Sequence, residues 1–426
     1  MPPSEGKKGE WVGLTPPDKK IWQPYHTVWA VLVTGWVGNY MVRVGIAPAL
    51  VPLMQEFQLS YTEAGLLATA FFYAYTFMQL PAGHLGDRLG RKVMLLFSTT
   101  CTATMSLLTA VASSFPALFV FRFFTGVGQG TYFVSDRPVI AAYTPKDRMG
   151  FGQGVSFTGL GIGTCLGVLL SGLIAERWGW RAVFFSFTLL PLLAATGIAL
   201  LIREPPRTRE APGVRPPWGV IFRSRDLWLL NVGGIAAVYA LWVVGTWAPA
   251  MFKEVGVAEL SRASLYSSLL GLAAIPGLIV TGWLSDWLVA RGKGRKGLIG
   301  LELLAIAGSM FLMGYAVEAR ANVVVLAALV FISGLFIWGI WAPMYALLPE
   351  LVPKENLGTT YGFTNSMHFL GSLLAPWLTG AIKDATGSFA WGGYAAGLIG
   401  VAGGLLILGI RPAFRWGRDV PVLSSS

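Results

Sequence analysis

The chain has 426 residues, 54% of them hydrophobic and 12% charged, with a mean hydropathy of +0.61; a soluble globular domain carries about 25% charged residues, so the composition excludes one. The net charge of +11 does not point to nucleic acid, because the basic residues sit in short loops and tails between long apolar runs, as membrane topology requires. Cys101 and Cys165 lie inside apolar segments, where a small hydrophobic residue is the ordinary reading and a disulfide framework is not.

Most apolar runs exceed the roughly 20 residues that a helix needs to cross hydrocarbon, and the alternation of a membrane barrel is absent. The expected fold is an all-α membrane protein with twelve transmembrane helices. Their limits fall near 27–52, 61–83, 93–112, 117–143, 150–175, 182–202, 227–251, 263–289, 298–317, 321–348, 358–382 and 391–410. Residues 1–26 form a polar tail without an apolar core of its own, which reads as cytoplasmic and not as a cleaved signal. Of the 32 Lys and Arg, only Arg177, Arg181, Lys253, Arg262, Arg320 and Lys383 fall in outside loops if the N-terminus is inside, and Arg43, Arg122 and Arg137 lie within helices. That bias predicts a multi-pass protein of the cell (inner) membrane with both termini, 1–26 and 411–426, in the cytoplasm.

Gly83-His84-Leu85-Gly86-Asp87-Arg88-Leu89-Gly90-Arg91-Lys92 packs charges and glycines between two apolar segments. It reads as a tight hairpin loop at the membrane surface. Gly282-Trp283-Leu284-Ser285-Asp286, followed by Arg291, Lys293, Arg295 and Lys296, repeats the idea in the second half. Between them, residues 203–226 carry five prolines and six arginines and read as a linker joining bundle 27–202 to bundle 227–410.

A shift of 208 residues confirms two copies of one plan. It lays Gly150, Gly154, Gly163, Ser171, Gly172, Ile174, Glu176 and Gly179 on Gly358, Gly362, Gly371, Thr379, Gly380, Ile382, Asp384 and Gly387. The match keeps chain direction, so the six-helix halves are parallel repeats about an axis along the membrane normal.

Gly83-x3-Asp87-Arg88-x-Gly90-Arg91-Lys92 resembles the signature loop of the major facilitator superfamily, and Arg122-x3-Gly126-x-Gly128-x-Gly130 resembles its helix 4 motif. The resemblance spans the whole chain. It implies a secondary transporter in which helices 1, 4, 7 and 10 line a central cavity that opens alternately to each side. Asn39-Tyr40-x-x-Arg43, with Phe121-Arg122 and Gly126-x-Gly128, is similar to the anion:cation symporter family and to spinster-like lipid carriers. Those families usually place acids where this chain has Val42 and Gln129, so Asp136 or His368 would have to carry any coupled proton. Tyr40-Met41-Val42-Arg43 is also similar to the organophosphate:phosphate antiporters, but no second arginine occurs between Trp228 and Met251. A phosphate ester therefore ranks lower.

An ionisable residue in hydrocarbon costs at least about 2.5 to 3.5 kcal/mol, which makes each one a functional candidate. Arg43 lies beyond the middle of helix 1. Arg122, Thr125, Gln129, Tyr132 and Asp136 recur at spacings of three and four along helix 4, a polar stripe that does not face lipid. At the same positions the second half has Val330 for Arg122, Met344 for Asp136 and Tyr345 for Arg137. The charges do not repeat, which favours an asymmetric site with an electropositive N-terminal wall.

The C-terminal half supplies aromatics and neutral donors: Tyr239, Trp242 and Thr246 on helix 7, Trp338, Trp341 and Tyr345 on helix 10, and Tyr361, Asn365, His368 and Ser372 on helix 11. The expected substrate site is Arg43, Tyr40, Arg122, Gln129, Tyr132, Tyr239, Trp242, Trp338, Trp341, Tyr345, Asn365 and His368. Asp136 and His368 are the candidates for ion coupling. Asp87, Arg88, Arg91 and Asp286 are expected to gate the cytoplasmic side, Asp87 by capping helix 11 near Leu357 and Gly358, and Asp286 by capping helix 5 near Met149 and Gly150.

Glycine runs at 126–130 and 159–163 sit inside helices, where small residues permit close packing. No Walker-type or zinc-spaced string occurs, so neither ATP-driven pumping, nor a cofactor, nor an enzyme activity is expected. A guanidinium ringed by aromatics suits a small organic anion, a carboxylate or sugar acid, held by charge-assisted bonds. The rivals are a polyspecific drug or lipid exporter of the same fold and a non-transporting membrane sensor. A monomer in the bilayer is expected; the residues do not choose between proton, sodium, exchange and uniport.

Overall fold

A computed structural model describes residues 22–145, 148–205, 218–352 and 357–411. These form eighteen helices, seventeen of which make up twelve spans. Span 1 is α1 (Pro24–Val44) and α2 (Ile46–Phe57); span 2 is α3 (Tyr61–Leu89); span 3 is α4 (Arg91–Ala110); span 4 is α5 (Phe115–Gly130) and α6 (Phe133–Tyr143). α7 (Met149–Phe187) contains span 5 and, beyond Gly179 at φ 79°, the start of span 6, which α8 (Leu189–Leu201) completes. After the short α9 (Trp218–Arg223), span 7 is α10 (Arg225–Glu254), and span 8 is α11 (Leu260–Ser267), α12 (Leu269–Leu272) and α13 (Ala274–Ala290). Span 9 is α14 (Lys296–Glu318), span 10 is α15 (Val323–Gly339) and α16 (Trp341–Leu351), span 11 is α17 (Leu357–Thr386), and span 12 is α18 (Ala390–Leu408).

Among the described residues, eight helical segments are long and apolar enough to cross a membrane by length and composition, and one of these, Gly152–Leu201, holds two spans. Spans 2, 4 and 11 fall short. Their polar and glycine-rich faces meet other helices inside the bundle, so they need less apolar surface. Outside, the order of a soluble protein is inverted: Leu200, 77% exposed, and Leu193, Trp283 and Val324 face outward, while Arg43, Arg122 and Asp136 are buried.

The signature stretch is not a hairpin loop. Span 2 continues helically to Leu89, and the reversal is made at Gly90 alone, whose φ of 106° is open to glycine at little cost. Glu204 then accepts the amides of Arg91 and Lys92 at 2.6 and 2.9 Å, supplying the cap that starts span 3. Charged residues in a helix's last turns therefore look like loop in sequence. The copy behaves likewise, with Gly282–Asp286 inside α13.

Within a half, span 1 packs on spans 5 and 6, and span 2 on span 4. Across the halves, span 2 meets span 11, span 5 meets span 8, and the α2 part of span 1 meets span 7. The helix 4 glycines serve this packing as expected: a Cβ on Gly126 would stand 2.1 Å from the Phe71 carbonyl oxygen.

Candidate functional site

The polar stripe of span 4 closes on span 1, rung by rung. Arg122 donates Nη1 to the Val42 carbonyl and Nη2 to the Arg43 carbonyl at 3.0 and 3.1 Å. Gln129 donates to the Asn39 carbonyl at 2.8 Å, and the Tyr132 hydroxyl donates to the Leu32 carbonyl at 2.8 Å. Trp36 Nε1 donates to Asp136 at 2.7 Å. Arg122, through Nη1 and Nη2, and Tyr132, both expected in the substrate wall, thus donate to helix carbonyls, while Arg122 Nε has no hydrogen-bond partner among the described residues. The Arg122 side chain reaches the end of α1, where the break at Gly45 leaves carbonyls short of intrahelical partners.

Asp136 is also committed. Arg137 bridges it at 2.9 Å, and Ser156 donates to it at 3.0 Å. Arg137 in turn donates to Gln153 and Ser156 at 2.8 Å each and stacks on Phe157. A carboxylate with both oxygens in use, beside its own cation, is a structural ion pair in this state.

Arg43 is the exception. It is 1% exposed, and its Nε donates to Gln129 Oε1 at 3.1 Å. Among the described residues no carboxylate pairs with it, and neither Nη1 nor Nη2 has a hydrogen-bond partner. Three ring faces surround the guanidinium, Tyr40 at 4.3 Å, Tyr75 at 4.4 Å and Phe71 at 4.8 Å. Each such contact contributes about 0.5 to 2 kcal/mol, against several kcal/mol for taking the ion out of water. The rings offset part of that cost but supply no acceptor to Nη1 and Nη2. Two parallel N–H donors held this way match the two oxygens of a carboxylate.

One face of span 2 encloses the chamber from the other half. Phe72 packs on Trp242 of span 7 at 4.3 Å, Tyr75 on Phe369 of span 11 at 5.0 Å, and Gln79 accepts from the side-chain amide of Asn365. The chain from Gln79 continues through Asn365, which accepts from the Tyr345 hydroxyl at 2.7 Å. Tyr345 stacks on Trp341 at 5.7 Å, and both flank His368, at 6.3 and 5.9 Å. His368 is fully buried against Gly234 of span 7. Tyr239 lies on the same side, under Gly371.

The sequence-derived residues therefore divide. Arg43, Tyr40 and Gln129 stand together, Trp242 closes on span 2 opposite them, and Trp341, Tyr345, Asn365 and His368 form a second cluster joined through Gln79. Trp338 belongs to neither, since its indole donates to the Leu270 carbonyl at 3.0 Å. Phe71, Phe72, Tyr75 and Gln79 were missed. Their three- and four-residue spacing is the signal that exposed the span 4 stripe, hidden here because three of the four are aromatic.

The predicted gate residues sit at the turn end of each half. Arg91 bridges Asp87 and donates to the Gly83 and Val134 carbonyls, tying spans 2, 3 and 4. Arg295 bridges Asp286 and Glu350 and donates to Ser285, tying spans 8, 9 and 10. Arg88 is exposed. The cross-half partners expected near Leu357 and Gly358, and near Met149 and Gly150, adjoin segments 353–356 and 146–147, which lie outside the described residues.

Twelve spans in two like halves, with a buried guanidinium against span 2, are the architecture of a membrane transporter. The chain matches the model of the Major Facilitator Superfamily over residues 32–316 and 291–420, and it belongs to that superfamily. It is 26% identical to a probable sulfoacetate transporter of Cupriavidus necator, over 91% of this chain and 94% of that protein. It is 25% identical to a hexuronate transporter of Bacillus subtilis, over 90% of this chain and 92% of that one. Among solved structures, a bacterial homolog of the human lysosomal transporter Spinster, inward-facing and occupied, superposes with a TM-score of 0.75 at 18% identity, covering 91% of this chain and 96% of its own.

Proposed function

We propose that the protein is a secondary transporter that moves a small organic anion, a carboxylate or sugar acid, by alternating access. The observation that carries this reading is Arg43, a buried guanidinium with no acid partner, one edge fixed by Gln129 and two donors left for a ligand. Relatives named for sulfoacetate and hexuronate transport support the same charge class. Tyr40, Tyr75 and Phe71 form the walls, and Trp242 of span 7 closes on the neighbouring Phe72. The anion takes the place of the missing acid, and its body packs on the rings.

His368 is the remaining coupling candidate on this reading, because Asp136 is bound to Arg137. The transporter works as a monomer in the cell (inner) membrane with both termini cytoplasmic, and the bundles 27–202 and 227–410 rock about the chamber across the linker 203–226. The Arg91 and Arg295 clusters keep each half rigid at its turn end while Asp87 and Asp286 serve the gate.

The test is uptake into proteoliposomes of a panel of carboxylates, sugar acids, sulfonates and phosphate esters, beside thermal-shift titration of the same compounds. One class should be carried and should stabilise the protein, and Arg43→Ala should abolish both effects. Unchanged anion uptake by Arg43→Ala would sink the assignment.

A further inference from the structure

Two carboxylates at the face opposite the signature turns do work that the chamber does not require. Span 2 starts at Ser60, whose hydroxyl accepts the Glu63 amide at 3.2 Å while Glu63 accepts the Ser60 amide at 2.8 Å. That box leaves the amides of Tyr61 and Thr62 to find acceptors elsewhere. They donate to Asp384 of span 11 at 3.1 and 2.7 Å, joined by the Thr62 hydroxyl. The acceptor belongs to the other half.

The opposite flank repeats this with the halves exchanged. α11 opens span 8, and its Ser261 amide donates to Glu176 of span 5 at 2.9 Å. Glu176 and Asp384 are matched by the 208-residue shift. So are the glycines around them. A Cβ on Gly172 would stand 2.1 Å from Ser264 Oγ, and one on Gly380 would stand 2.2 Å from the Tyr61 carbonyl oxygen, so each flank is a backbone-close crossing. Three residues past each acid, Gly179 and Gly387 turn the chain with φ of 79° and 77°.

We propose that Glu176 and Asp384 are paired latches that hold this face shut, each capping the first turn of a span in the opposite half. They are positioning residues for the conformational step and do not touch cargo. A carboxylate at a helix N-terminus is favoured by the exposed amides and the helix dipole together. Both acids are at the surface, so water takes over the amides when the face opens. Such a latch biases the equilibrium without locking it, and two of them acting across the same boundary add. The inference stands whatever the cargo is.

The experiment uses full-length protein in lipid nanodiscs with Cys165→Ser and Ser264→Cys, placing a reporter thiol at the Gly172 crossing, and native Cys101 as an internal reference. Maleimide modification of each thiol is followed by peptide mass spectrometry. Glu176→Gln with Asp384→Asn should speed labelling at position 264 by about tenfold and each single change by about threefold, with Cys101 unaltered. Glu318→Gln, an acid held by Tyr394 within one half, should leave position 264 at the parent rate. Should the double change prevent folding, the singles decide, since each keeps one latch. A rate at position 264 within about twofold of the parent, or an equal rise at Cys101, would overturn the proposal.

Discussion

The two halves share a scaffold and differ in chemistry. Backbone necessities recur: Gly172 and Gly380 at crossings, Gly179 and Gly387 at turns, Glu176 and Asp384 on opposing amides. Buried charge does not. The N-terminal half holds Arg43, Arg122 and the Asp136–Arg137 pair, and its partner answers with Trp341, Tyr345, Asn365 and His368, its own buried acid, Glu302, accepting from Thr281 on span 8. A repeat keeps what the backbone needs in both copies and lets diverge what the single central site needs only once. The ladder from span 4 to span 1 refines this: Arg122 and the Asp136–Arg137 pair help seat span 1, and Arg43 keeps Nη1 and Nη2 without a hydrogen-bond partner among the described residues.

The largest effect should come from breaking the pair that has no counterpart in the C-terminal half. Arg137→Gln leaves Asp136 buried without its cation, and a loss of about 3 to 5 kcal/mol is expected, read as a fall in the thermal unfolding midpoint; adding Asp136→Asn should recover most of it. Next, forcing the halves to match by Val330→Arg puts a guanidinium where the second half has a buried valine, 1% exposed. Insertion should lose about 2.5 to 3.5 kcal/mol or more, measured as membrane-inserted yield.

Removing Arg43 sharpens the contrast differently. Arg43→Ala should leave the unfolding midpoint equal or higher, because a buried charge whose Nη1 and Nη2 have no acceptor is gone, while anion affinity falls by about 2 to 3 kcal/mol, or 30- to 150-fold; isothermal titration with the panel's best ligand reads both the loss and its class. The smallest change belongs to the neutral side. Tyr345→Phe breaks its bond to Asn365 and should lower stability by about 0.5 to 1.5 kcal/mol, read as a small fall in the thermal unfolding midpoint.

Apolar run length made twelve helices legible without coordinates, and the 208-residue repeat made two halves legible, since hydrocarbon imposes length and internal hydrogen bonding on any crossing segment. Helix periodicity showed that Arg122, Gln129, Tyr132 and Asp136 share a face and that it avoids lipid. Which neighbour receives that face was settled only by packing. It receives span 1, and so Arg122 and Tyr132 hold the backbone. Likewise Arg137, Phe71, Tyr75 and Gln79 acquire their roles from contacts between spans far apart in the chain, and no local pattern distinguishes a ring that cages a cation from one that fills a gap. One-dimensional order constrains how each helix meets the bilayer; the partner of a buried charge is a matter of side-chain geometry, which arises only when the helices assemble.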